Sequence, residues 1–206
     1  RILDMKNGLY ERSISLITND DLNVEINSKR FLSMKRKCVG AISYSIKCSR
    51  DVKITVSPYI DFDVSNNDSN WNEKFWNIKE KINTQNRSLV KCSVKKTDFN
   101  VITYMKADLY DDDIKIEKPF QRKSNSKKIL LESRQSLKKG HTLKVVKFGG
   151  YVTSMSNDWN KIENETNEIL KLLENISFEN LYQEHIQEWS KIWEQSDIKI
   201  IGDIKS

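Results

Sequence analysis

The sequence predicts a mainly β protein, a large antiparallel β-sandwich that is followed by a C-terminal helical hairpin. From Leu9 to about Thr153, apolar residues recur at every second position in short segments separated by polar turns. After Ser156 the apolar period changes to the i, i+3, i+4 spacing of an amphipathic helix. Glycine (6) and proline (2) are scarce, which argues against disorder and flexible linkers. We therefore expect a β-sandwich over residues 1–156 and a helical linker over 157–206.

The alternating segments predict roughly ten short strands with no helical pattern between them. Their apolar positions include Leu22, Val24 and Ile26; Ile42, Tyr44 and Ile46; Val52, Ile54 and Val56; Val90, Cys92 and Val94; Phe99, Val101 and Met105; and Ile114 and Ile116. Segments 128–133 and 142–148 complete the set. Phe148-Gly149-Gly150 lies inside a strand-like run, which predicts a β-bulge there and not a phosphate-binding loop.

Two apolar stripes predict the two helices. The first contains Trp159, Ile162, Thr166, Ile169, Leu170 and Leu173, and the second contains Phe178, Leu181, Tyr182, His185, Ile186, Trp189, Ile192 and Trp193. Asn157 or Asp158 is the expected cap of the first helix and Ser177 that of the second. The second stripe is so wide that it must pack on the sandwich or on a partner.

Composition favours an intracellular protein that does not bind nucleic acid. The net charge is +6, but the basic residues form short scattered clusters among acidic ones, so solvated surface is the better interpretation. The three cysteines have no CxxC spacing and are expected to be reduced thiols in the cytoplasm. The sequence has no signal-like start and no apolar run of transmembrane length, so we expect no membrane partner.

The residues considered one by one indicate no active site, metal site or cofactor. The run Asp61 to Ser65 resembles a calcium loop but lacks the required glycine and glutamate, because Asn66 and Asn72 stand at those positions. Asp111-Asp112-Asp113 is expected to be a charged turn. His141 and His185 would need distant carboxylates to bind a metal, and packing is the simpler role for His185.

The stretch NWNEKFWN places three large aromatic rings, Trp71, Phe75 and Trp76, in a polar context. Three interpretations remain open: a sugar-stacking platform, a plug over the core, or a contact with another domain. A short helical turn would bring Trp71 beside Phe75.

Five blocks in order carry a resemblance to glycoside hydrolase family 65, which contains the maltose, kojibiose, nigerose and trehalose phosphorylases. The blocks are RILDMKNGLYERS, KRFLSMKRKCVGAISYSIK, SPYIDFDVSNNDSNWNEKFW, LKVVKFGGYVTSMSND and HIQEWSKIWEQSDIKIIGD. They cover essentially the whole chain. Met155 stands where the family has Arg, and Trp71 where it has Tyr. The family's further stretch before the first block is not present, so we expect the sandwich to lack its first strands.

The resemblance implies a supersandwich of the galactose-mutarotase type whose linker leads into an (α/α)6 catalytic barrel. It also implies an inverting phosphorolysis in which phosphate, a co-substrate, converts an α-linked disaccharide into β-glucose 1-phosphate and glucose. The catalytic glutamate and the phosphate site belong to the barrel, so this chain is expected to carry no catalytic residue. We expect the parent protein to be a homodimer resembling a kojibiose or maltose phosphorylase.

The resemblance also suggests roles for individual residues. Trp71, Glu73, Phe75 and Trp76 are candidates for carbohydrate contact or for the boundary with the barrel. The residues expected to pack the linker are Trp189, Trp193 and Asp197. The alternative hypothesis is a stand-alone carbohydrate-binding module that uses the rings of Trp71, Phe75 and Trp76.

Overall fold

The computed structural model describes residues 1–65, 73–97, 99–154, 158–198 and 202. Thirteen strands and two helices form in this part of the chain: β1 (Ile2–Asp4), β2 (Leu9–Ile17), β3 (Asn23–Leu32), β4 (Gly40–Cys48), β5 (Val52–Val56), β6 (Tyr59–Asp61), β7 (Trp76–Asn83), β8 (Arg87–Val94), β9 (Asn100–Asp111), β10 (Ile114–Lys115), β11 (Gln121–Ser124), β12 (Lys128–Leu137), β13 (Thr142–Ser154), α1 (Trp159–Asn175) and α2 (Phe178–Ser196).

The strands form two antiparallel sheets of unequal size. The large sheet has the order β1-β2-β3-β4-β13-β9-β8-β7, with β10 paired to β9. The small sheet is centred on β12, which pairs with β11 and also with β5 and β6. The long strands β9 and β13 pair over twelve residues in the middle of the large sheet. The predicted antiparallel sandwich followed by helices is therefore confirmed.

Two hydrophobic cores lie on opposite faces of the large sheet, as the alternation of side chains along each strand requires. On β9, Met105 and Leu109 face the small sheet, whereas Ile102 and Tyr104 face the helices. The helix-side core includes Phe31, Phe148, Ile162, Leu173 and Leu181. The sheet-side core includes Val56, Ile60, Val90, Ile129 and Leu131.

The helices begin where their capping residues indicate. The side chain of Asp158 accepts a hydrogen bond from the amide of Lys161 (3.1 Å), and that of Ser177 accepts one from Asn180 (3.0 Å). The alternative first cap, Asn157, lies outside the described residues. In the described part of the chain, no helix is long and apolar enough to cross a membrane.

The β-bulge predicted at the two glycines is wrong, because β13 pairs with β9 across Gly149 and Gly150 without a register shift. The structure gives another reason for glycine here. A Cβ at Gly150 would lie 1.9 Å from the carbonyl oxygen of Cys38. The same carbonyl accepts a hydrogen bond from the Tyr104 hydroxyl (2.6 Å). Glycine thus allows the turn that contains Cys38 to lie directly against the sheet.

Candidate functional site

The turn between β1 and β2 is held by the C-terminal half of α2. The indole nitrogens of Trp189 and Trp193 both donate hydrogen bonds to the carbonyl oxygen of Met5, at 2.8 and 3.2 Å. Asp4 closes the turn by accepting from the backbone and the side chain of Asn7 (3.1 and 2.7 Å). The tryptophans are one helical turn apart, so a single face of α2 fixes this turn.

His185 joins three separate segments of the chain. Its side chain is buried, with 2 % of its surface exposed. The amide of Met34 donates to Nδ1 (3.2 Å), so the proton of the neutral ring is on Nε2, which donates to the carbonyl oxygen of Asn7 (3.0 Å). Burial lowers the pKa of His185 below its ordinary value. A neutral histidine with one fixed tautomer therefore bridges α2, the β1–β2 turn and the segment after β3.

An aromatic cluster surrounds His185. The ring centroids of His185 and Phe31 are 5.1 Å apart, and those of His185 and Trp189 are 6.1 Å apart. Trp189 in turn meets Trp193 edge-on at 6.2 Å. Tyr182 completes the cluster at 5.2 Å from Phe31. Tyr182, His185, Trp189 and Trp193 recur at three-residue or four-residue intervals on α2, which explains the wide stripe in the sequence.

Charged contacts extend this attachment to the loop after β3. The guanidinium of Arg36 binds both carboxylate oxygens of Glu184, at 2.8 and 2.9 Å. Lys35 lies 3.3 Å from Glu188. A bidentate arginine–carboxylate pair fixes orientation more than a single contact does. The second helix is thus joined to the sandwich by apolar packing, hydrogen bonds to backbone carbonyls and ion pairs.

Asp197 lies at the C-terminal end of α2, and its role differs from that of Trp189 and Trp193. It is the C-cap residue of α2, and its backbone N–H donates to the carbonyl of Trp193 (2.8 Å). Its side chain is exposed. Asp197 therefore terminates the helix, while Trp189 and Trp193 attach it to the sandwich.

The residues of the aromatic stretch that are described lie at the entry to β7. Trp71 lies outside the described residues, and with it the predicted helical turn. Glu73 forms an ion pair with Lys96 (3.1 Å). The carbonyl of Phe75 accepts a hydrogen bond from the amide of Lys95 (2.6 Å). Residues 73–75 have no regular secondary structure, and the strand begins at Trp76.

Trp76 lies on the edge strand of the large sheet, opposite Val94. It shares a face with Ile78, which packs in the sheet-side core. Its side chain borders a cavity of about 100 Å³ together with Phe62 and Cys92. About a third of it remains exposed (36 %). Trp76 therefore lies at the end of the sheet-side core, on the face of the large sheet that is opposite the helices.

Pairing of β9 with β13 brings together a cluster that sequence reasoning regarded as distant. His141 Nδ1 lies 3.2 Å from an oxygen of Asp111 and 3.0 Å from one of Asp112. Carboxylate and imidazole atoms at this spacing could hold a metal ion. The cluster is exposed, and the contacts between its own members account for its geometry. The Asp112 side chain also accepts from the amide of Thr142 (2.8 Å), as expected of a turn.

A cavity lies on the sheet-side face of the large sheet, and the sequence does not predict it. Its volume is about 620 Å³. Its walls include Tyr10, Arg30, Ile42, Tyr59 and Lys147. These residues are scattered through the sequence, and only the strand register places them together.

The fold, the attached linker and the comparisons with known proteins define the class to which the protein belongs. Residues 1–192 match the family described as "Glycosyl hydrolase family 65, N-terminal domain". The chain belongs to this family, and the resemblance seen in the sequence is confirmed.

Three curated relatives are phosphorylases. The chain is 28 % identical over 204 residues to maltose phosphorylase of Bacillus subtilis, covering 98 % of this chain and 26 % of that protein. It is 28 % identical over 211 residues to alpha,alpha-trehalose phosphorylase of Thermoanaerobacter brockii, covering 98 % and 27 %. It is 24 % identical over 227 residues to nigerose phosphorylase of Lachnoclostridium phytofermentans, covering 98 % and 28 %. The chain thus spans little more than a quarter of these relatives.

A solved structure shows the same fold. The putative kojibiose phosphorylase from human microbiome superimposes with a TM-score of 0.79 at 16 % sequence identity. The superposition covers 93 % of this chain and 24 % of that one. At this identity the likeness concerns the fold alone.

Proposed function

We propose that this chain is the non-catalytic N-terminal part of an inverting disaccharide phosphorylase, with the β-sandwich over residues 1–156 and the linker over 157–206. The observation that carries the proposal is the family match, which runs through the sandwich and most of α2. The relatives that align with 98 % of the chain are phosphorylases, which supports the same activity for the parent protein.

In the proposed reaction, phosphate attacks the anomeric carbon of an α-glucosidic disaccharide with inversion. The products are β-glucose 1-phosphate and glucose, and we propose kojibiose or maltose as the substrate. The acid that protonates the leaving oxygen and the groups that bind phosphate would be supplied by an (α/α)6 barrel. The sandwich would position the linker, and through it the barrel, without contacting the reacting atoms.

The contacts of α2 support this positioning role. Trp189, Trp193 and His185 bind backbone carbonyls of the β1–β2 turn, and Arg36 binds Glu184. Backbone carbonyls are acceptors whose position is set by the sheet, so these bonds transmit the orientation of the sandwich to the helix. A rigid linker of this kind suits a domain that must hold a catalytic partner in one place.

The proposed partners follow from the same assignment. They are the catalytic barrel of the same polypeptide, the disaccharide with phosphate, and a second subunit of a homodimer, with neither nucleic acid nor a membrane. We propose a cytoplasmic location because all three cysteines are free. Burial raises the pKa of the Cys92 thiol to about 11, which suits an inert core thiol.

A domain exchange tests the proposal. In maltose phosphorylase of Bacillus subtilis, the region that aligns with this chain would be replaced by residues 1–206. We expect the chimera to release β-glucose 1-phosphate from maltose, whereas the same enzyme without the region should be inactive. A chimera that folds, as judged by circular dichroism, and shows no phosphorolysis would contradict the proposal.

A further inference from the structure

The β1–β2 turn contains a chemically reactive pair of residues, Asn7 and Gly8. It is the one Asn-Gly pair in the sequence, and both residues are partly exposed. Asparagine is a thermolabile residue, and the reaction that degrades it begins with attack on its side chain by the next backbone nitrogen. Glycine at the next position favours this attack because no Cβ obstructs the approach. The turn therefore carries a potential site of deamidation.

Three hydrogen bonds hold Asn7 in its present conformation. Its side-chain amide donates to Oδ2 of Asp4 (2.7 Å), and its backbone amide donates to Oδ1 of Asp4 (3.1 Å). Its carbonyl oxygen accepts from Nε2 of His185 (3.0 Å). The bonds from Asn7 lower the pKa of Asp4, so this carboxylate is ionised at neutral pH. Asn7 is thus fixed at its side chain and at both of its backbone polar groups.

Helix α2 holds the rest of the turn. Trp189 and Trp193 donate to the carbonyl oxygen of Met5, and His185 donates to that of Asn7. Attack by Gly8 closes a five-membered ring with the Asn7 side chain, which requires the backbone torsions of Asn7 to change. The contacts with α2 oppose this change, so the reaction has to proceed from states in which the turn has opened.

We propose that Asn7-Gly8 is a deamidation site that docked α2 protects, and that its reaction weakens the docking of α2. The Gly8 nitrogen forms a bond to Cγ of Asn7, while the side-chain nitrogen leaves with the amide proton as ammonia. Water then adds to either carbonyl of the succinimide ring and opens it, which leaves aspartate or isoaspartate at position 7. This inference does not depend on the proposed function.

Either product disturbs the turn. A carboxylate at position 7 no longer donates to Asp4, and it places a second negative charge beside that residue. In isoaspartate the main chain also runs through the side-chain carbon, which moves the carbonyl that accepts from His185. The segment bound by α2 is then displaced, so we expect the C-terminal half of α2 to open more often.

Asn125 provides a matched control within the chain. Its side-chain oxygen accepts from the backbone amides of Lys127 and Lys128, both at 2.8 Å. A carboxylate accepts the same two bonds, so replacement of the amide keeps this turn. Asn7 is bound through its amide donor and Asn125 through its oxygen. Conversion to aspartate should therefore disrupt the first turn and leave the second intact.

The rate of deamidation tests the protection. The purified chain is incubated at neutral pH, and the products at Asn7 and Asn125 are followed by mass spectrometry and by an isoaspartyl methyltransferase. We expect Asn7 to react more slowly in the protein than in the peptide RILDMKNGLYERS. His185→Gln should accelerate its reaction about fivefold, the factor expected for one hydrogen bond. Trp189→Phe keeps a ring and should give an intermediate rate, with Asn125 unaffected in both variants.

Amide hydrogen exchange tests the consequence. Asn7→Asp should accelerate exchange in the C-terminal half of α2 and at Met34, whose amide donates to His185. Asn125→Asp should leave both unchanged. Circular dichroism identifies a variant that fails to fold, and Trp189→Phe decides the question of protection if His185→Gln is such a variant. Equal rates at Asn7 in wild type and Trp189→Phe, or equal exchange in Asn7→Asp and Asn125→Asp, would overturn the proposal.

Discussion

His185 is a single residue whose role depends on contacts that are remote in sequence. The helical stripe predicts it as a packing residue, and the structure does place it among aromatic rings. Its hydrogen bonds to Met34 and Asn7 join segments separated by 151 and 178 positions. Neither the apolar periodicity nor a sequence motif predicts a contact between such distant segments. The sequence therefore predicts the burial of this residue but not the bridge that it forms.

The lowered pKa of His185 predicts a loss of stability in acid. In the unfolded chain the imidazole takes up a proton near its ordinary pKa of 6.5, whereas the buried ring remains neutral to lower pH. The contribution is therefore complete above about pH 6.5 and decreases as the pH falls through and below that value. We expect His185→Gln to be destabilised by about 1–3 kcal/mol at pH 7.5 and to lose less additional stability between pH 7 and 5.

Urea unfolding at several pH values measures this difference. His141→Gln is the matched control, because it alters the other histidine of the chain and leaves His185 in place. This control should keep the acid-side loss of the wild type. Equal pH slopes for His185→Gln and wild type would show that the buried histidine does not contribute.

Trp76 offers a second test at the scale of one residue. Its ring packs at the end of the sheet-side core, so Trp76→Ala should lower the free energy of unfolding by about 1–3 kcal/mol, less than for a fully buried tryptophan. Trp76→Phe keeps a ring and should recover most of the loss. When the wild type and both variants are titrated with maltose or kojibiose, tryptophan fluorescence should change little in all three proteins. A saturable sugar response that Trp76→Ala abolishes would instead favour the carbohydrate-binding alternative.

At the scale of elements, local periodicity predicts most strands and both helices. The strands centred on Ile26, Tyr44, Ile54 and Cys92 form where alternation indicates them. Strand β11 was not predicted, because all four of its side chains are exposed and polar. Alternation detects a strand only when one of its faces is buried.

The order of the strands could not be predicted from the sequence. β13 lies between β4 and β9, and β12 pairs with β5 across more than seventy residues of chain. Such pairings depend on register between distant segments, for which periodicity of two gives no information. The cavity formed by Arg30, Tyr59 and Lys147 was missed for the same reason.

Gly8 provides a test of how α2 docks on the β1–β2 turn. Its φ is +60°, and a Cβ there would lie 2.6 Å from Nε2 of His185. Gly140 also has a positive φ (+86°), but a Cβ there would meet nothing within 4 Å. Both alanine variants therefore incur backbone strain of about 1 kcal/mol, and only Gly8→Ala also displaces the histidine.

Thermal unfolding compares the two glycine variants. We expect Gly8→Ala to be less stable than Gly140→Ala by a further 1–2 kcal/mol or so, because it disrupts the hydrogen bond from His185 to Asn7. Amide exchange should be faster at Met34 in Gly8→Ala alone. Equal destabilisation of the two variants would mean that the contact between the turn and α2 contributes little.

At the scale of the whole molecule, the large sheet is the central layer. The two helices pack on one of its faces and the small sheet packs on the other. The helix-side core and the bonds from α2 hold the linker in place. The sheet-side core is complete beneath the small sheet and open beyond it. The sequence predicts this architecture and its family, because both depend on ordered local blocks. It does not predict the role of the isolated chain.

The most direct measurement of the central claim is a phosphorolysis assay of the purified 206-residue chain. Maltose, kojibiose, nigerose and trehalose would each be incubated with inorganic phosphate, and β-glucose 1-phosphate would be quantified over time. The account predicts no product above a protein-free blank with any of the four, because we propose that the catalytic glutamate and the phosphate site belong to the barrel. Turnover of any of these disaccharides by the isolated chain would contradict the account.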